Sequence, residues 1–105
     1  MAFKNIIFPN LKQLILFKDK IKDISPLFSC EFPILEKLDL AHNEIDNTVI
    51  AFLKRLNLSE LTYLNLFVNR ITNLEILELF GIYNKLTSFY IGENKFEIEN
   101  NAETF

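Results

Sequence analysis

A pattern of eleven positions recurs along this chain and constrains its fold more than any other feature. In residues 35–45 the pattern reads L-x-x-L-x-L-x-x-N-x-I, where x is any residue. It recurs at residues 61–71 and 86–96 and, less faithfully, at 11–21, so that the copies start 24, 26 and 25 residues apart. A near-constant period of this length is typical of stacked units, each covering an apolar face that its neighbour cannot bury alone.

The pattern and its period together resemble the leucine-rich repeat family. The resemblance covers nearly the whole chain and implies a single domain, residues 1–105, with repeats starting near 11, 35, 61 and 86 and partial repeats at both ends. It implies an α/β fold, a leucine-rich repeat solenoid. Such a fold has a short-stranded parallel sheet on its concave face and helices or 3₁₀ turns on its convex face.

The residues themselves favour the same elements. Inward leucines alternate with other side chains in each copy, as in Leu38-Asp39-Leu40, and this period of two predicts a strand. Stacked copies would pair their strands in parallel, which connections of a dozen or more residues permit. The first connection, residues 22–34, contains Pro26 and Pro33, which favour 3₁₀ or extended turns over a long helix.

The second and third connections are predicted to differ from the first. Apolar residues at helical spacing predict a helix over residues 48–56, after the candidate caps Asp46 and Asn47. In the third connection, residues 74–79 offer an alternative start for the pattern. The later start at Leu86 is preferred because it keeps both the period and the asparagine.

Four residues occupy the position where each strand turns away, namely Asp19, Asn43, Asn69 and Asn94. Because an asparagine amide both donates and accepts hydrogen bonds, stacked copies are predicted to form a ladder that satisfies the backbone of the turns. An ionised aspartate only accepts, so the rung at Asp19 is predicted to be weaker. The neighbouring charged residues Lys20, Glu44, Arg70 and Lys95 have mixed signs that permit pairs of Glu44 with Lys20 and with Arg70, but a solvated edge is the preferred interpretation.

Aligning the copies predicts three rows of side chains across the concave face, where the resemblance implies that partners bind. The rows are Gln13, Lys37, Tyr63, Ser88; Ile15, Asp39, Asn65, Tyr90; and Phe17, Ala41, Phe67, Gly92. The aromatic members with their polar neighbours, predicted to bind a protein partner, are Phe17, Lys37, Asp39, Tyr63, Asn65, Phe67 and Tyr90. Two alternatives stay open: a flanking segment of a longer parent protein covers these aromatics, or they have no role.

Each end of the repeat array shows signs of a partial repeat. Residues 8–11 echo residues 32–35 and indicate a partial earlier repeat, while residues 98–105 resemble the first turn of another helix. Neither end has an evident polar cap. Uncapped ends and open strand edges favour self-association, so the second hypothesis is a structural, self-associating repeat segment of a larger regulatory or adaptor protein with no binding activity of its own.

Composition argues against several classes of partner. Eleven basic and fourteen acidic side chains give a net charge of −3 with no basic block, so no nucleic-acid partner is predicted. The apolar run of residues 6–8 is too short for a signal peptide or a membrane span, and no membrane partner is predicted. Cys30 is the only cysteine, so no internal disulfide can form; the predicted compartment is the cytoplasm, with the nucleus as the alternative.

No arrangement of residues suggests catalysis. His42 is the only histidine and is expected at an exposed surface position, while Cys30 is expected on the opposite, convex side. The two glycines are too few for a glycine-rich phosphate loop. We therefore expect a protein that is not an enzyme and uses no cofactor or metal, acting as a protein–protein interaction module.

Overall fold

A four-stranded parallel sheet runs through the part of the chain that the structure describes. The structure is a computed structural model and describes residues 6–96. The strands lie side by side in the order β2 (Gln13–Ile15), β4 (Lys37–Asp39), β5 (Tyr63–Asn65) and β6 (Ser88–Tyr90). All the pairings in this sheet are parallel, as predicted from the stacking of the copies.

The strands pair in the register that the repeated pattern predicts. The residues at the first position of successive strands are Gln13, Lys37, Tyr63 and Ser88. They lie 24, 26 and 25 residues apart, the same separations as the copies of the pattern. Residues 74–79 lie in helices rather than in a strand, which confirms the start of the last copy at Leu86.

The central residue of each strand points into the core. Leu38 and Leu64, in the two inner strands, are buried, whereas Leu14 and Phe89 in the edge strands are only half-buried. An edge strand has a neighbour on one side only, so part of the surface of its inward side chain stays exposed to solvent. The core is therefore densest in the middle of the sheet, where burying each such side chain contributes about 1.5–3 kcal/mol.

The first connection contains a 3₁₀ helix, Ser25–Ser29, as its prolines predict. The carboxylate of Asp23 accepts a hydrogen bond from the backbone N–H of Ser25, 2.8 Å away, and this bond lowers the pKa of Asp23. The chain then enters β3 (Cys30–Glu31), which pairs in parallel with β1 (Ile6–Ile7). This second sheet was not predicted from the sequence.

The echo between residues 8–11 and 32–35 corresponds to a repeated turn. The N–H of Leu35 donates to the carbonyl of Phe32 at 3.3 Å, and the N–H of Leu11 donates to that of Phe8 at 3.4 Å. The rings of Phe8 and Phe32 stack on each other with centroids 5.4 Å apart. The two segments are therefore equivalent and adjacent. The second predicted end feature, residues 98–105, lies outside the described residues.

The second connection forms the helix α1 (Thr48–Arg55), within one residue of the predicted span. Its residues Val49, Phe52 and Leu53 are fully buried against the inward leucines of the sheet. At its start the carboxylate of Asp46 accepts hydrogen bonds from the backbone N–H and the hydroxyl of Thr48, at 3.0 and 2.8 Å. These bonds lower the pKa of Asp46 and close a turn just before the helix, whose N-cap residue Asn47 makes no side-chain cap bond.

Asn47, the other predicted cap, has a different role. Its Oδ1 accepts hydrogen bonds from the backbone N–H groups of Thr72 and Asn73 at 2.9 and 3.0 Å, and its Nδ2 donates to the Thr72 hydroxyl at 2.7 Å. It therefore joins the second connection to the third. Asn73 in turn accepts from the N–H of Glu75 and begins a 3₁₀ helix, Leu74–Glu78, which continues into α2 (Leu79–Ile82).

Charged side chains add further links between the connections. Lys54 donates to Glu75 and Glu78, and the carboxylates raise the pKa of Lys54. Of the two ion pairs that the sequence permits for Glu44, the one with Arg70 is present, with 3.3 Å between the carboxylate and the guanidinium. The lysine that lies 3.7 Å from Glu44 is Lys22 rather than Lys20.

Tyr83 fastens the end of the third connection to α1. Its hydroxyl lies within hydrogen-bond reach of two backbone carbonyls at the end of that helix, those of Leu53 and of Leu56, the latter at 2.9 Å. The side chain is buried, and burial raises its pKa from 10.0 to about 12. The protonated phenol is thus the form that the folded chain stabilises.

We expect Tyr83→Phe to lower the free energy of unfolding by about 1–2 kcal/mol at neutral pH, because it removes the donor to buried carbonyls. A raised folded-state pKa means that this stabilisation is complete below pH 10 and is lost as the pH rises towards about 12. Urea titrations at several pH values should therefore show a steeper alkaline decline in the wild type than in the variant. Parallel declines would contradict the assignment.

Taken together, the described residues form a mixed α/β structure with two parallel sheets. The four-stranded sheet lies on one side of the core, and α1 with the 3₁₀ helices lies on the other. Among residues 6–96, no helix is long and apolar enough to cross a membrane.

Candidate functional site

The face of the four-stranded sheet that points away from the helices is the candidate functional site, and we call it the outward face. In each three-residue strand the first and third side chains point to this face because the central one points into the core. The pairing places Lys37 beside Tyr63, and Asp39 beside Asn65. It also places Tyr90 beside Asn65, so the first two predicted rows are confirmed as rows.

Three aromatic rings just beyond the strand ends form what we call the phenylalanine row: Phe17, His42 and Phe67. The imidazole of His42 lies edge-on between the phenyl rings, with centroids 4.9 Å from Phe17 and 6.0 Å from Phe67. Phe17 and Phe67 remain 44% and 37% exposed. The row therefore presents a continuous strip of ring surface across three neighbouring copies.

The third predicted row needs a correction at its second position. Ala41 was aligned between Phe17 and Phe67, but its methyl group is buried. The next residue, His42, has a φ of 56° and its ring occupies the space between the two phenylalanines. Alignment by pattern position could not show this, because it assigns His42 to the turn.

Gly92 closes the phenylalanine row at its far end. The ring of Phe67 lies over its backbone, and a Cβ atom added to Gly92 would come within 2.9 Å of Cε1 of Phe67. Real Cβ contacts are not that short, so any larger residue would displace the ring. The absence of a side chain at Gly92 thus determines where Phe67 lies.

The second aromatic group is the tyrosine pair, Tyr63 and Tyr90, whose ring centroids are 5.5 Å apart. The ammonium of Lys37 lies 4.6 Å from the centroid of the Tyr63 ring, within the range of a cation–π contact. The amide Nδ2 of Asn65 donates to the Tyr63 hydroxyl at 3.3 Å. Tyr63 is therefore held from several sides, while Tyr90 is 47% exposed.

The polar residues Asp39 and Asn65 partly serve the backbone. Each uses Oδ1 to accept a hydrogen bond from the N–H two residues later, at Ala41 and Phe67, in both cases at 3.0 Å. These bonds fix the chain where it leaves the strand. Both side chains are half-buried, so the polar part of the outward face is more rigid than free surface residues would be.

The predicted asparagine ladder is present beneath the turns. Asn69 donates Nδ2 to the carbonyls of Leu40 and Leu66, at 3.0 and 3.1 Å, and its Oδ1 accepts from the N–H of Ile45 at 3.0 Å. Asn43 and Asn94 make the corresponding bonds one copy earlier and one copy later. Each asparagine thus joins two adjacent copies.

The carboxylate of Asp19 takes no part in the ladder, which agrees with the prediction that the rung at this position is weaker. Its side chain is exposed, and its carboxylate accepts no hydrogen bond from any other residue between 6 and 96. Its own N–H donates to Oδ1 of Asn43 at 3.0 Å. Within the described part of the chain, the ladder therefore begins at Asn43.

A left-handed backbone recurs immediately before each ladder position. The residues concerned are Lys18, His42, Val68 and Glu93, with φ values of 59°, 56°, 56° and 52°. This conformation brings Cβ close to the following carbonyl and costs roughly 1–2 kcal/mol for most residues. Val68 is β-branched and is the least suited of the four to it.

We expect Val68→Asn to raise the free energy of unfolding by about 0.5–1 kcal/mol, since asparagine tolerates this conformation far better than valine. Replacing the half-buried valine also removes some apolar contact, and this loss limits the gain in the free energy of unfolding. Val68→Ala is the control, because alanine also loses the apolar contact but lacks the side-chain amide that makes asparagine favourable in this conformation. A thermal melt in which both variants are equally destabilised would contradict backbone strain at this position.

The outward face and the thiol of Cys30 are separated by the core. Cys30 is buried in β3, and its Sγ lies 3.7 Å from the carbonyl of Pro26 in the first connection. It therefore does not meet His42. Across residues 6–96, no three histidine, cysteine or acidic side chains converge in a way that could hold a metal ion.

No protein-family model matches the chain, and a search of curated proteins finds no match. What the outward face can bind must therefore be judged from its own residues. They offer two groups of exposed rings, the phenylalanine row and the tyrosine pair, next to polar groups already held by the backbone. Exposed aromatic rings beside fixed polar groups suit non-covalent recognition of another protein surface.

Proposed function

We propose that the chain is a leucine-rich repeat solenoid in one domain, residues 1–105, with the outward face as its concave surface. This proposal is supported by backbone hydrogen bonds that recur at the period of the pattern. One example lies directly after each ladder asparagine, where the N–H of the next residue donates to a carbonyl of the preceding copy. The donors are Glu44, Arg70 and Lys95, at 2.8–2.9 Å. The asparagine ladder and the repeated left-handed residue recur in the same way.

The function that this surface supports best is binding of a protein partner. The observation that carries the proposal is the contact between exposed aromatic rings of neighbouring strands, in the phenylalanine row and in the tyrosine pair. A few residues near the centre of a protein interface supply most of the binding free energy, and aromatic side chains are enriched there. The outward face offers exposed rings from three of the four copies, at Phe17, Phe67 and Tyr90, and the remaining copy supplies the half-buried ring of His42.

The rigidity of these rings strengthens the proposal. Ordering a free side chain on binding costs about 0.5–1.5 kcal/mol, and that cost falls when the side chain is already fixed. His42 is held by two rings, and Tyr63 by Tyr90, Lys37 and Asn65. A partner would therefore meet a surface that is largely preorganised.

The proposed mechanism is recognition without chemistry. The outward face has polar groups, but Oδ1 of Asp39 and Oδ1 of Asn65 each already accept a backbone hydrogen bond, and the imidazole lies between phenyl rings. Such groups orient a partner rather than transfer a proton. We propose a binding module that is not an enzyme, acting on a protein in the cytoplasm or nucleus.

Photo-crosslinking in a cell extract tests this proposal with a matched control. The photoreactive residue p-benzoylphenylalanine replaces Phe67 on the outward face in one variant and Phe28 on the helical side in the other, residues that are 37% and 43% exposed. We expect a discrete covalent adduct with one protein from the first variant and none from the second, because only the first probe lies in the proposed interface. Adducts of equal yield from both positions, or none from position 67, would contradict the proposal.

A further inference from the structure

An open hollow adjoins the phenylalanine row, where the chain turns away from the strands, and we call it the lysine hollow. It has a volume of about 380 Å³ and is lined by Lys18, Lys20, His42, Asn43, Glu44 and Val68. Lys18 and Val68 directly follow the two phenylalanines of the row, and His42 belongs to the row itself. A ligand on the phenylalanine row is therefore within reach of the groups that line the hollow.

The two lysines of the hollow have no acidic partner within the described chain. Both residues are exposed, and neither forms an ion pair with a carboxylate of residues 6–96. The ammonium of Lys18 lies instead 5.3 Å from the centroid of the Phe17 ring. An exposed cation and an exposed phenyl ring thus stand side by side at this end of the row.

Among the lining residues only Glu44 is acidic, and its charge is already compensated. Its Oε1 lies 3.3 Å from the guanidinium of Arg70 and 3.7 Å from the ammonium of Lys22. The charged groups of the hollow and their partners, with the exposed Asp19 included, are four basic and two acidic side chains: Lys18, Lys20, Lys22 and Arg70 against Asp19 and Glu44. The hollow therefore has an excess of two positive charges.

The opposite end of the phenylalanine row has no such excess. The two residues that correspond to Lys18 and Lys20 in the last copy are Glu93 and Lys95. Both are exposed, and their charges are opposite in sign. An acidic group on a partner is therefore attracted to one end of the row only, the end at Phe17, which sets the direction in which the partner lies.

We propose that the outward face binds a segment of its protein partner in which a large apolar side chain stands next to an aspartate or glutamate. The apolar side chain packs on the phenylalanine row, and the neighbouring carboxylate pairs with the ammonium groups of Lys18 and Lys20. This inference rests on the proposed function and adds to it the chemistry of the partner.

A carboxylate fits the hollow better than a phosphate does. Arginine recognises phosphate through a planar fork that makes two hydrogen bonds at once, and lysine offers only a compact point charge. The arginine beside the hollow, Arg70, is engaged by Glu44. The two lysines suffice to balance one or two carboxylates of a partner.

Photo-crosslinking from position 67 tests the role of the lysines when it is repeated in a chain that carries both Lys18→Gln and Lys20→Gln. Glutamine removes the charge and keeps a long polar side chain, and both positions are exposed, so circular dichroism should be unchanged. We expect a clear fall in the yield of the adduct. The control is Lys95→Gln, which removes an exposed lysine from the same position of the pattern as Lys20 and should give the yield of the unsubstituted background.

The adduct also identifies the bound segment. Mass spectrometry of the digested adduct locates the partner residue joined to position 67, and we expect an aspartate or glutamate within a few residues of it. A synthetic peptide of that segment, titrated into the full chain by calorimetry, should lose roughly tenfold in affinity when its acidic residues become amides. Lys18→Gln with Lys20→Gln should cause a similar loss, and both changes together little more than either, because they remove the same ion pairs.

The possible failures are distinct. An adduct whose yield is unchanged by Lys18→Gln with Lys20→Gln, or whose bound segment has no acidic residue, would overturn this inference and leave the proposed function in place. A segment that binds only when it carries a phosphate would overturn the assignment of a carboxylate. The absence of any adduct from position 67 in the unsubstituted background would overturn the proposed function and this inference together.

Discussion

Replacing Asn69 with alanine should lower the free energy of unfolding by roughly 2–4 kcal/mol, because three backbone groups lose their partner in a buried turn. These groups are the N–H of Ile45 and the carbonyls of Leu40 and Leu66. The loss is a large fraction of the stability of a domain of this size, which is typically 5–15 kcal/mol. Urea unfolding followed by circular dichroism measures it directly.

Two further variants of ladder residues serve as controls for that experiment. Asp19→Ala should change stability by less than about 0.5 kcal/mol, since its carboxylate is exposed and accepts no bond from the described residues. Asn69→Asp keeps the acceptor for Ile45 but loses the donor, so it should also be destabilised. Equal stability of Asn69→Ala and Asp19→Ala would show that the ladder does not hold the copies together.

Simultaneous replacement of Tyr63, Phe67 and Tyr90 by alanine should weaken binding of the crosslinked partner by at least about 100-fold, because interface aromatics of this kind often contribute about 2 kcal/mol or more each. Titration calorimetry with the purified partner gives the affinities. Since the three rings lie on the outer side of the sheet rather than in the core, the far-ultraviolet circular dichroism should be unchanged.

The matched control for the triple variant is Phe28→Ala. Phe28 is an exposed phenylalanine on the helical side of the core, where its ring packs edge-on against Phe52. Its removal costs some stability but leaves the outward face intact, so the affinity should stay within about twofold of the wild type. Unchanged affinity in the triple variant would remove the outward face from consideration as the interface.

Strand positions and register could be predicted from the sequence because both depend on a local pattern. A leucine two residues from another leucine sets which side chains enter the core, as at Leu38 and Leu40, and the period then sets which residues become partners. The same holds for the asparagines, whose short amide fits the turn in every copy. Helix α1 was visible for a similar reason, through apolar residues at helical spacing.

Other features depend on tertiary contacts that no local pattern records. The strand β3 is only two residues long and forms because β1 lies beside it. Two residues are too few to show the alternation of apolar and polar side chains from which a strand is predicted. Asn47 could have capped its own helix but bonds instead to the next connection. Lys20 has a φ of 54°, which the corresponding residues of the other copies do not share, and Lys22 pairs with Glu44 in its place.

The candidate site was predictable in composition but not in arrangement. The sequence places Phe17, Tyr63, Phe67 and Tyr90 on one face, and the structure agrees. It does not show that they divide into the phenylalanine row and the tyrosine pair. That division depends on His42, whose ring position follows from a left-handed turn, and on the bare backbone of Gly92.

The claim that the outward face binds a protein is tested most directly by nuclear magnetic resonance of the isotope-labelled chain during titration with the crosslinked partner. Binding should shift the resonances of the phenylalanine row, the tyrosine pair and the amides of β4 and β5, while those of α1 and of the 3₁₀ helix Ser25–Ser29 stay in place. Shifts confined to the helical side, with the resonances of Phe67 and Tyr90 unmoved, would contradict the claim.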